Sequence, residues 1–168
     1  MTIDRSPVEG FLSHASADVD LGLIDPLERE QQLRGMSVWR DQSRLLAGQH
    51  NWAEIEDAVN RATVFMVVIS PRSIARPAVW REIRYAAQRW KRERTFPIVV
   101  VRIGVTRDEL DEACRLPGVH KLSVHQQVEV SLNPSWSAAT DPAWAARVAE
   151  VIVQSAVQAS PPPRATAH

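Results

Sequence analysis

The chain has 168 residues, enough for one domain with a buried core, and its 45% apolar and 24% charged residues are ordinary for a soluble globular protein. With 20 basic and 20 acidic side chains the formal net charge is zero, which excludes recruitment to nucleic acid by bulk charge. A single cysteine, Cys114, excludes an internal disulfide, and no apolar run reaches the roughly 18 residues of a membrane span. The residues from Met1 to Pro7 lack the apolar core of a signal peptide, so a cytoplasmic protein is expected.

Residues 8–13 read as a first strand, followed by the polar turn Ser13-His14-Ala15-Ser16-Ala17-Asp18. A helix then runs to about Arg34 with Leu23, Ile24, Leu27 and Leu33 inward. Pro26 requires a place in its first turn, so the helix proper starts at Asp25 as a cap, and Gly35 is a natural stop. Residues 37–40 form a second brief strand and residues 41–51 a polar loop. A helix over residues 52–62 follows, with Ile55 and Val59 inward. Residues 64–70 are an almost unbroken apolar run, the signature of a parallel strand covered on both faces.

The next helix, from about Arg76 to Arg94, carries its apolar stripe at Val79, Ile83, Ala86, Ala87 and Trp90. Glu82 falls on the edge of that stripe rather than opposite it. Residues 96–103 are a fourth strand and residues 106–114 a short helix. A fifth, more exposed strand lies within residues 119–132, with Val128, Val130 and Leu132 alternating. Asp141-Pro142 opens a last helix with Trp144, Val148, Ile152 and Ser155 on one side. Residues 159–168 read as a Pro-rich tail or linker, and residues 1–7 as an N-terminal extension. Strands alternating with helices in this way predict an α/β fold, a doubly wound sheet of five parallel strands with helices on both faces. Such folds bind ligands at the carboxyl ends of their strands, where Glu82 is expected to sit.

Phe11-Leu12-Ser13-His14-Ala15-Ser16-Ala17-Asp18 resembles the first box of the Toll/interleukin-1 receptor (TIR) domain family in its bacterial, NAD-cleaving form. Gly35-Met-Ser-Val-Trp-Arg-Asp41, with Leu45-Leu46-Ala47-Gly48 and Trp52, is similar to the family's second strand and BB loop. Ile69-Ser70-Pro71 with Trp80 and Glu82 is similar to its third strand and the helix bearing its catalytic glutamate. The resemblance spans residues 8–155 and implies a flavodoxin-like fold for a domain over residues 8–158. It implies Glu82 as the catalytic carboxylate and Phe11, Ser13 and His14 along the pocket. Trp39 and Asp41 would border it, and Leu46 and Trp80 would complete the substrate-binding set. Many NAD-cleaving members carry tryptophan four residues before the glutamate; here that position is Ala78, and Trp80 lies two before, turned about 160° away.

The implied reaction is cleavage of the nicotinamide–ribose bond of NAD+, giving nicotinamide and ADP-ribose or a cyclic isomer. NAD+ is then the substrate, with no cofactor and no metal. The histidines show no ligand spacing with cysteine or acidic residues, and no Gly-x-Gly-x-x-Gly loop is present. The family also implies head-to-tail self-association through the BB loop, activation by that assembly, a tethered or separate sensor module, and a setting in bacterial anti-phage immunity. Neither nucleic acid nor membrane is an implied partner. Two other readings stay open: a non-catalytic TIR–TIR interaction module for signalling, and a hydrolase or base-exchange enzyme acting on another N-glycoside.

Overall fold

A computed structural model describes residues 8–41, 51–130 and 143–159. The expectations for Leu46, Leu132, the Asp141-Pro142 cap, the tail and the N-terminal extension lie outside these residues.

Five strands form one sheet: β1 (Glu9–Ser13), β2 (Ser37–Trp39), β3 (Val64–Ile69), β4 (Ile98–Ile103) and β5 (Gln126–Val130). All are parallel, in the order β2-β1-β3-β4-β5. β3 and β4 are buried along their whole length, as their apolar runs require when helices cover both faces. Gly10 of β1 pairs with Val64, and a side chain there would collide with the end of Met66, so the glycine lets that side chain cross the strand.

One face of the sheet is covered by α2 (Asp25–Leu33) and α6 (Trp144–Ala159), whose Leu27, Trp144, Val148 and Ile152 pack on alternate residues of β3 and β4. The other face carries α3 (Trp52–Arg61), α4 (Pro77–Arg92) and α5 (Arg107–Ala113) over Phe11, Phe65, Val67 and Val100. Asn51 caps α3 by accepting from the Glu54 amide, and Thr106 caps α5 by accepting from that of Glu109. Arg89 of α4 donates to the Val59 and Ala62 carbonyls at 2.8 and 2.5 Å, closing the end of α3 and fixing the two helices together. No helix among the described residues is long and apolar enough to cross a membrane.

Between β1 and α2 the chain is broken into two pieces rather than one helix. A short α1 (Ser16–Asp20) ends at Gly22, whose φ of 71° is costly for other residues, and α2 begins afresh. Asp25 is the first helical residue of α2 and not its cap; that place belongs to Ile24, without a side-chain hydrogen bond. The expected burial of Leu33 is also corrected: it is 72% exposed while Leu27 is fully buried. Six residues at about 100° each carry Leu33 roughly 240° round from Leu27, out of the face that Leu27 and Gln31 bury. Leu27→Ala is therefore expected to cost about 2–5 kcal/mol of stability. Leu33→Ala should change it by no more than about 0.5 kcal/mol in the same urea titration. Equal losses would contradict this orientation of α2.

Candidate active site

β1 and β3 lie side by side, but the chain leaves them on opposite faces of the sheet. This is the switch point of a 2-1-3-4-5 sheet, where a crevice opens beyond the strand ends. A pocket of about 300 Å³ occupies that crevice. Leu12 and the turn residues His14, Ala15 and Ser16 form one wall, the start of α4 from Arg76 to Val79 forms another, and Asp41 and Glu82 close it.

Glu82 lies one turn and a half into α4 and is 4% exposed. The Ser13 hydroxyl, at the end of β1, donates to its Oε1 at 3.2 Å. Its Oε2 is buried with no hydrogen-bond partner. Burial raises the Glu82 carboxyl well above its ordinary value of 4.5, the charge of Asp41 adds to this, and the Ser13 hydrogen bond opposes it. A buried oxygen without a partner, lining a pocket, is the feature that a bound hydroxyl or a positive charge would satisfy.

A second network holds the two loops that flank the pocket. Asp18, fully buried in α1, accepts from the Ser70 hydroxyl at 2.7 Å and from Arg72 Nε at 2.6 Å. Ser73 donates from its hydroxyl to the Val68 carbonyl at 2.8 Å and accepts from the Ser70 amide at 2.8 Å. The turn after β1 is thereby tied to the turn after β3, and that turn leads directly into α4 and Glu82. Arg40 pairs with Asp25 and Glu28 at 3.2 and 3.0 Å, which sets the end of β2 and so the place of Asp41.

His14 is held by its Nδ1, which donates to the Ala15 carbonyl at 3.1 Å. A carbonyl can only accept, so the neutral ring carries its proton on Nδ1 and leaves Nε2 as an acceptor. Burial lowers its pKa, and the positive charge of Arg40 works in the same direction.

Glu82, His14 and Asp41 thus line one pocket, with Ser13 in contact with Glu82. Phe11 and Trp39 are brought together elsewhere: Phe11 is fully buried, stacked on Trp39 at 5.0 Å and on Phe65 at 5.3 Å, in the core behind the pocket. Trp80 faces away from Glu82, donating its indole N–H to the Ile74 carbonyl at 3.0 Å and packing on the α3–α4 side. Leu46 lies outside the described residues. Arg76, Ala15 and Ser16 line the pocket without having been singled out from the sequence. Only the position of Arg76 was legible, since Pro77 marks it as the residue before the first turn of α4; its place in the pocket lining was not.

The TIR domain family model matches residues 11–133. A curated relative, the NAD(+) hydrolase ApTIR of Actinoplanes sp., is 31% identical over 98 residues, which cover 54% of this chain. That match spans 14% of the relative's length. Among solved structures, the TIR domains of the activated Roq1 resistosome superpose with a TM-score of 0.54 at 15% identity, over 90% of this chain and 80% of that one. The flavodiiron core Flv1 of Synechocystis sp. PCC6803 superposes with a TM-score of 0.58 at 12% identity, over 93% of this chain and 38% of that one. Both share the fold.

Because the folded state holds the Glu82 proton more tightly than the unfolded chain, Glu82 contributes stability fully at pH below its ordinary value and loses it as pH rises through the raised one. Glu82→Gln cannot ionise and escapes that loss. The variant should melt above the parent at pH 8, by about 2–4 °C for each kcal/mol relieved, with the gap shrinking toward pH 5. A gap that stays constant with pH would place the ionisation elsewhere.

Proposed function

The chain belongs to the TIR domain family, and from that premise we propose that it is an NAD+ glycohydrolase whose working carboxylate is Glu82. The observation that carries the reading is the buried Glu82, with one oxygen held by Ser13 and the other unpartnered, in a pocket at the switch point. Similarity to a protein named as an NAD(+) hydrolase supports it.

The chemistry asks little more. The nicotinamide of NAD+ is a cationic pyridinium, so it leaves with the bonding electron pair as a neutral molecule and needs no general acid. The charge left behind is a ribosyl oxocarbenium ion. An ionised Glu82 beside the ribose stabilises it and accepts a hydrogen bond from a ribose hydroxyl. Water then adds to the anomeric carbon and releases a proton; attack by the substrate's own adenine would give the cyclic isomer instead. Burial makes the same carboxylate costly to ionise in the empty pocket, and the arriving pyridinium offsets that cost. Ser13 positions Oε1 and favours the ionised form.

We place activation in self-association through the loop that follows Asp41, and the biological setting in NAD+ depletion during anti-phage defence. A pocket of about 300 Å³ is at the small end of ligand sites, so a second copy can supply walls for the rest of a dinucleotide. Among the described residues the lining offers no aromatic ring except the His14 imidazole, which favours the interaction-module reading as the alternative.

One assay separates them: NAD+ loss followed by HPLC across a protein concentration series. The expected result is a rate that rises more than linearly with concentration and falls about 100-fold or more in Glu82→Ala. Unchanged cleavage in Glu82→Ala rejects the assignment, and no cleavage from a demonstrably associated parent leaves the interaction module. The rate should also rise with pH, since Glu82 must ionise from a raised pKa. Ser13→Ala removes the interaction that lowers that pKa. It should displace the profile to higher pH, with up to about tenfold loss at neutral pH for each unit of displacement.

A further inference from the structure

We infer that Arg76 and the first turn of α4 are the phosphate-binding end of the pocket, so that the chain selects phosphorylated pyridine nucleotides over the free nucleoside. The inference rests on the glycohydrolase reading and assigns the other half of the same substrate.

Among the described residues Arg76 is the arginine in the pocket lining, and three arginines on the flanking segments are engaged elsewhere. Arg40 pairs with Asp25 and Glu28, and Arg72 with the buried Asp18. Arg81 lies over the Trp52 ring at 4.1 Å with its Nε 3.1 Å from the Tyr85 hydroxyl. Arg76 lines the pocket, yet its guanidinium has no hydrogen bond, ion pair or ring contact among the described residues. It stands at the N-cap of the 16-residue helix α4, which has no side-chain cap. Pro77 has no N–H to satisfy, and the Val79 and Trp80 amides turn back to the Arg76 carbonyl at 3.1 and 3.4 Å. The positive end of the α4 dipole and a free guanidinium therefore meet at one rim.

The opposite end of the pocket is acidic. Glu82, nearly fully buried with Oε2 unpartnered, and Asp41 both border it. Six residues separate Arg76 from Glu82, roughly 9 Å along the helix axis, a span that a ribose and its phosphate ester fill once the flexible arginine side chain folds toward the ligand. A pocket with carboxylates at one end and a guanidinium at the positive end of a helix dipole at the other matches a ligand with a cationic ring at one end and a phosphate at the other. Pyridine nucleotides have that polarity; the riboside lacks the anion and free phosphate lacks the cation. With little aromatic surface among the described lining residues to grip the base, the phosphate contact carries a larger share of recognition.

The test compares the full chain with Arg76→Gln and Arg76→Lys. Initial cleavage rates are measured on NAD+, nicotinamide mononucleotide and nicotinamide riboside, and binding of ADP-ribose and of nicotinamide by calorimetry. Arg76 is exposed, so circular dichroism should show both variants folded. Expected is a loss of roughly 10–100-fold in ADP-ribose affinity and in kcat/KM for both nucleotides in Arg76→Gln. The riboside rate and nicotinamide affinity should be unchanged, with partial recovery in Arg76→Lys. An equal loss on the riboside, or ADP-ribose affinity untouched by Arg76→Gln, overturns the inference. If no substrate is cleaved the glycohydrolase reading fails, but calorimetry still decides: ADP-ribose binding that Arg76→Gln weakens upholds a phosphate site. Absent or unaltered binding removes it.

Discussion

Everything at the candidate site depends on the pairing of β1 with β3. These strands are neighbours in the sheet but not in the sequence, and the helices that follow them leave on opposite faces. A crevice beyond their ends follows from that geometry and needs no special residue to create it. What does need particular residues is keeping it a fixed shape. Asp18 supplies this by accepting hydrogen bonds from Ser70 and Arg72, joining the two turns that diverge from the switch point. Because Asp18 is fully buried, losing the bond to Ser70 would leave a buried carboxylate oxygen without that partner. The start of α4, and with it Glu82 and Arg76, inherits its position from that tie.

The site is built against stability in one place. Glu82 sits at 4% exposure with a single hydrogen bond, beside a second acid, where an apolar side chain on the same helix face would pack at no electrostatic penalty. The neighbours on that face, Val79, Ile83 and Ala86, show what the core would otherwise accept. An uncompensated carboxylate among them is a local conflict between fold and chemistry, of the kind that marks functional positions. Trp80, equally conspicuous in the sequence, is no such conflict: its indole N–H is satisfied by the Ile74 carbonyl, and its ring packs on the α3–α4 side.

The sequence disclosed most where a physical rule acts over several residues. β3 and β4 were legible as continuous apolar runs, α4 by its stripe, and α6 by Trp144, Val148 and Ile152, all of which are buried. Glu82 was legible because its place on the edge of a stripe is a matter of helical phase. The misreadings concern single residues whose fate is set by a break or a turn. Leu33 was expected inside with Leu27, but within α2 the two lie six residues, roughly 240°, apart, so they cannot share a face. Phe11 and Trp39 were placed at the pocket by the family resemblance; alternation along β1 sends Phe11 to the opposite side from Leu12, where it stacks on Trp39 and Phe65. Arg76 has no periodic signature at all. Its interest comes from what the fold leaves it without, and a missing partner cannot be read from spacing.

The geometry also links two properties that are usually argued separately, the position of a loop and the charge on a buried acid. Asp41 follows β2, an edge strand of three residues whose end is tied to α2 through Arg40. Its charge helps keep Glu82 protonated. Any arrangement of the segment after Asp41 that draws that carboxylate away, or meets it with a cation, lowers the cost of ionising Glu82 without touching Glu82 itself. Control over the carboxylate therefore lies partly at the rim, on the one wall of the pocket that is carried by an edge strand rather than by the buried centre of the sheet. A contact made at that rim reaches the buried acid through charge, without any direct contact to Glu82.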